Sequence, residues 1–136
     1  MTGKAGLLIY WITRLLAALI LLQTLYFKFT AAAESVYIFK TVGMEPWGRI
    51  GVGILELIAA VLLLFNGSAW VGAILGLGLM AGAIGMHLTI LGVAVQGDGG
   101  YLFSLALSVA ICSIYVLFFN RMKLQSLYAK FKQAGA

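Results

Sequence analysis

The chain has 136 residues, of which 63% are hydrophobic and only 10% charged. Soluble domains run nearer roughly 45–50% apolar and 25% charged, so a water-soluble globule is excluded. The net charge of +5 sits mainly at the ends of apolar blocks, where it orients helices against anionic lipid, and nucleic-acid binding is excluded with it.

Four apolar blocks approach or exceed the roughly 20 residues a spanning helix needs. The first runs from about Leu7 to Phe29 and carries Arg14, Gln23 and Lys28. Arg14, the apolar run and Ala31-Ala32-Ala33 imitate a cleaved secretory signal. Tyr10 and Trp11 precede the arginine, however, and the block is read as a true span. Next, Val36, Phe39 and Val42 recur at helical spacing within Ser35 to Val42, which predicts a short interfacial helix ended by Gly43. Pro46 suits the first turn of the following helix.

The second block spans about Trp47 to Phe65 with Glu56 near its middle, and Asn66-Gly67-Ser68 forms a turn. The third, Ala69 to about Val95, contains His87 and the glycines 72, 76, 78, 82 and 85, whose small-xxx-small spacing predicts close helix packing. Gln96-Gly97-Asp98-Gly99-Gly100 breaks the pattern. The fourth block, Tyr101 to Phe119, is uncharged. In the tail, 120–136, Leu124, Leu127, Tyr128 and Phe131 form an apolar stripe accompanied by Lys123, Lys130 and Lys132. That pattern predicts a basic amphipathic helix on an anionic membrane surface. The expected fold is therefore all-α, a polytopic four-helix bundle forming one domain over 1–136. Lys4, Arg121, Lys123, Lys130 and Lys132 flank the termini and favour placing both in the cytoplasm.

A charge at the centre of the bilayer costs about +2.5 to +3.5 kcal/mol on insertion scales, so the intramembrane polar residues call for partners. Helical rise places Glu56 near mid-depth, Arg14 roughly 6 Å to the cytoplasmic side and His87 roughly 7 Å to the outer side. Arg14, Ala17, Ala18, Leu21, Leu25 and Lys28 share one stripe of the first helix. Arg14–Glu56 is the expected ion pair, with Lys28 and His87 continuing a polar column toward the outer leaflet. Arg14, Lys28, Glu56 and His87 are the candidate ligand-binding residues, and Glu56 and His87 the candidate proton acceptors. A pair that merely sets helix register is the competing reading. The single Cys112 and single His87 exclude a disulfide, a CxxC redox pair, a cysteine zinc site and bis-histidine haem.

In order along the chain, Arg14, Lys28-Phe29, Met44-Glu45-Pro46-Trp47-Gly48, Gly53-Ile54-Leu55-Glu56-Leu57 and His87-Leu88-Thr89 resemble the DoxX-like family of small four-helix membrane proteins. The resemblance covers about Tyr10 to Phe119. It implies a bundle in the bacterial inner membrane and association with quinone-linked electron transfer. The wider fold group includes eukaryotic sterol-handling proteins with acidic residues in a lipid-accessible cavity, for which Glu56 is the positional counterpart.

Three functions are then open. The first is a quinone- or quinol-binding accessory subunit of a membrane redox system. The chain carries no intrinsic cofactor, so a redox partner subunit would supply the electron carrier, and whether the chain is itself an enzyme is undecided. The second is a lipid- or small-molecule-binding protein. The third is a structural subunit of a larger membrane complex. Membrane lipids and a homodimer complete the expected partners.

Overall fold

A computed structural model describes residues 3–135. Four helices are long and apolar enough to cross a membrane. They are α1 (Lys4–Phe29), α3 (Trp47–Leu64), α4 (Ala69–Met86, extended by a π-helical turn to Leu91) and α5 (Tyr101–Phe119). Two others are α2 (Ala33–Thr41), between the first two spans, and α6 (Arg121–Ala134). The chain is thus a multi-pass membrane protein, and the described residues contain no strand.

The spans form a ring in which α1 packs on α3, α3 on α4, α4 on α5 and α5 back on α1. Small side chains let the helices approach closely. Ala17, Ala18, Ala59, Ala60, Ala69 and Ala73 are all buried and alternate with Leu21, Leu63, Val109 and Val116. Large aliphatics point outward instead: Leu19, Leu88 and Ile111 are each about two-thirds exposed. A solvent of lipid makes that distribution stable, since burying them would gain little from an apolar surrounding.

Two arginines lock α1 and α3 together reciprocally. Arg14 of α1 donates from Nε to the Leu63 carbonyl at the end of α3, 2.7 Å away, and from Nη1 to Asn66 Oδ1 at 2.9 Å. Arg49 of α3 donates from Nη1 to the Lys28 carbonyl at the end of α1 while its Nε pairs with Glu45 at 2.9 Å. The last carbonyls of a helix have no partner within it and carry the negative end of its dipole. Each helix therefore caps the other's C-terminus with a cation.

Several boundaries differ from the sequence reading. The third span stops at Leu91 rather than Val95, because Gly92 turns the chain with φ +82° and Val95 folds back to become buried. Asp98 then holds the reversal: Oδ1 accepts the Val95 and Gly100 N–H groups at 3.0 and 2.8 Å, and Oδ2 accepts that of Leu102 at 3.2 Å. The interfacial helix runs two residues earlier than Ser35 and ends at Thr41, before Gly43 with φ +78°.

The glycines of α4 divide into two groups. A Cβ on Gly72 would lie 2.8 Å from the Ala59 carbonyl and the Leu63 nitrogen, and one on Gly76 would lie 3.4 Å from Ser113 Oγ. Those two permit close packing. A Cβ on Gly78, Gly82 or Gly85 would meet nothing within 4 Å, so the packing expected of them is absent.

Candidate functional site

At the α2 end of the bundle the spans part around a cavity of about 400 Å³, within the range of roughly 300–1,000 Å³ typical of small-molecule sites. α1 contributes Ile20, Gln23, Thr24, Phe27 and Lys28, α3 contributes Glu56, and α4 with its π turn contributes Gly78, Gly82, Met86 and His87. Tyr101 and Leu105 of α5 complete the wall, and Glu34, Ser35 and Phe39 place α2 across one end. Most of the lining is apolar, and the polar groups gather around one carboxylate.

That carboxylate is Glu56, 1% exposed. Lys28 Nζ lies 2.9 Å from its Oε1, and the Thr24 hydroxyl donates to Oε2 at 2.8 Å. The pair is possible because Thr24 and Lys28 stand one turn apart on α1, facing the middle of α3. A buried carboxylate left alone would be strongly penalised; one cation and one hydroxyl satisfy both of its oxygens.

Arg14 is elsewhere. The sequence reading paired it with Glu56, but its guanidinium is wholly buried at the opposite, terminal end of the bundle. Besides its two acceptors it is covered by the Trp11 ring at 4.0 Å and the Tyr10 ring at 5.0 Å. Depth alone allowed a meeting one turn above. The two aromatics one turn below, and the open carbonyl at the end of α3, draw the side chain the other way. Of the four candidate residues, Lys28, Glu56 and His87 share the cavity and Arg14 does not.

His87 opens the π turn and is 5% exposed, its ring edge-on to Phe103 at 5.5 Å. Nδ1 lies 3.0 Å from the Gly92 carbonyl. Gly92 leaves the helix just after the π turn with φ +82°, and its carbonyl meets the ring there.

The sequence reading missed four contributors. Thr24 carries no charge and draws no attention in a hydropathy scan. Gln23 Nε2 donates to Tyr101 Oη at 3.3 Å, tying α1 to α5 at the exposed rim. Glu34 and Asp98 flank the same end: burial, then the charge of Asp98, pushes the Glu34 carboxyl above its usual range. Burial alone would raise Asp98 as well. The N–H groups of Gly100, Val95 and Leu102 outweigh that effect and hold it below the usual value.

No known protein family, characterised protein or solved structure matches the chain.

Proposed function

We propose that this protein is a DoxX-like membrane protein that holds a quinone or quinol in the cavity between α1, α3, α4 and α5, as an accessory subunit of a bacterial inner-membrane redox system with both termini in the cytoplasm. The observation that carries the reading is the buried Lys28–Glu56–Thr24 cluster opening onto an otherwise apolar cavity of about 400 Å³. A quinone head group needs a few polar contacts and its tail needs an apolar slot, which is the composition found there. Lys28 can stabilise negative charge on a quinone oxygen, and Glu56 can take a proton once the ammonium moves to that oxygen. Electrons released with that proton would pass to a carrier in a partner subunit.

α6 complements this placement. None of its residues is buried, Met122, Tyr128 and Phe131 are 69%, 71% and 80% exposed, and Arg121, Lys123, Lys130 and Lys132 give it four cations and no anion. It suits the surface of an anionic leaflet.

A second reading, a lipid- or small-molecule-binding protein without redox coupling, is favoured by one observation: both oxygens of Glu56 are already engaged within the chain. One experiment separates them. Wild type and Glu56→Gln are purified in mild detergent and retained small molecules identified by mass spectrometry. Quinone kept by wild type and lost from the variant is the expected result. A polar lipid kept in its place favours the second reading, and no specific retention in either sample defeats both.

A further inference from the structure

We infer that the cavity selects a ligand bearing a free hydroxyl on a flat apolar ring, with His87 Nε2 accepting the hydroxyl proton and the Gly78–Gly82 wall receiving the ring face. The inference rests on the reading of this cavity as a ligand site and adds to it the chemical form that is bound.

The hydrogen-bonding inventory leads there. A carbonyl oxygen can only accept, so the 3.0 Å contact with Gly92 places the proton of a neutral imidazole on Nδ1. Nε2 is then a lone-pair acceptor. Among the described residues no group donates to it, although the side chain is 95% buried and lines the cavity. The nearby donors are turned elsewhere: Thr24 and Lys28 onto Glu56, and the Gln23 amide onto Tyr101. What Nε2 lacks is a donor, and a ligand hydroxyl supplies one. An ammonium would donate too, but at Glu56 the charge that would attract it is already neutralised by Lys28 at 2.9 Å, which repels a second cation; the other carboxylate, Glu34, lies on α2 across the end of the cavity. The remaining Lys28 N–H groups stay available for a second ligand oxygen.

The steric evidence is independent of that inventory. Gly78 and Gly82 stand one turn apart on α4, line the cavity, and have open space where side chains would project. Neither is needed for the helix contacts that Gly72 and Gly76 make, so their lack of side chains leaves a flat strip of backbone. Rings pack on such a surface; a branched or bulky head group gains nothing from it.

Two sources share this chemistry, a quinol and a sterol, and the probes distinguish them. The full-length protein in nanodiscs, kept anaerobic, is titrated with a decyl-substituted benzoquinol, its quinone and its dimethyl ether, and with cholesterol and its methyl ether. The hydroxyl forms should bind about tenfold more tightly than their ethers, the worth of one buried hydrogen bond. His87→Phe should reduce that preference to within about twofold, and Gly82→Leu should weaken every ring compound about tenfold by filling the wall. The wild-type hydroxyl-to-ether ratio stands even if either variant fails to fold.

Quinol and ether bound equally well would overturn the hydroxyl assignment while leaving the quinone site intact. Hydroxyl-selective binding of the sterol pair, with neither quinol nor quinone bound, would uphold the assignment and overturn the quinone reading. Binding of none of the five would overturn both.

Discussion

The two ends of this bundle bury their charges in opposite ways. At the terminal end, Arg14 has no carboxylate partner among the described residues; backbone, amide and aromatic groups enclose it, and its Nη2 is buried without an acceptor. At the α2 end, Lys28 and Glu56 neutralise each other but stand beside open volume. A buried charge is therefore no mark of a binding site by itself. The difference lies in the surroundings: Arg14 is fully buried and lines no part of the cavity, whereas the groups around Glu56 leave a space with polar edges.

Removing each cation in turn sharpens that contrast most. Lys28→Met strands Glu56 in the interior and should destabilise the protein by about 3 kcal/mol. Adding Glu56→Leu should restore most of that loss while ligand retention stays abolished. Arg14→Met leaves the Leu63 carbonyl and Asn66 without their donor and should cost about 2 kcal/mol, with retention per folded molecule unchanged. Thermal unfolding in detergent, with retained ligand measured on the folded fraction, checks all three variants.

A smaller effect distinguishes the two groups of α4 glycines. Gly72→Ala forces a Cβ against backbone that cannot yield and should cost about 1–3 kcal/mol. Gly82→Ala meets nothing and should stabilise the helix by up to about 1 kcal/mol. Equal melting temperatures for the two variants would show that α4 carries no such division.

The smallest effect is in pH. Folding raises the Glu34 carboxyl, so the folded state holds its proton more tightly and α2 docking strengthens as pH falls through that raised value. Folding lowers Asp98, so its contribution is fully present at neutral pH and disappears only as pH falls through the lowered value. Hydrogen-exchange protection of α2, corrected for intrinsic rates, should rise on mild acidification and then fall with that of the 92–100 loop. Glu34→Gln should remove the rise alone.

How much of this was legible in the sequence follows from the kind of signal each feature leaves. Long apolar runs announce the spans, and the Arg14-to-Lys28 stripe does face inward from Arg14 to Leu21. The residues of the cavity's charged cluster were also visible, because Glu56, Lys28 and His87 are rare in an apolar chain. Their pairing was not. Arg14 binds a main-chain carbonyl, and every residue has one, so sequence offers no hint of which is left open. The end of the third span was obscured because Val93, Ala94 and Val95 continue the apolar run past the turn at Gly92. Glycine spacing could not separate Gly72 from Gly82, since identical motifs fit a tight contact and an open wall alike.

The reciprocal arginine clasp bears on the order in which the chain assembles. Synthesis presents α1 to the bilayer before α3, with Arg14 still an unpartnered intramembrane charge. Its acceptors, the Leu63 carbonyl and Asn66, emerge 49 and 52 residues later, after Arg49 has made its claim on the end of α1. The first helix is thus a provisional tenant of the membrane until the second span arrives. Its permanent depth is set when the two become a hairpin, and α4 and α5 then close around a unit already joined at both ends.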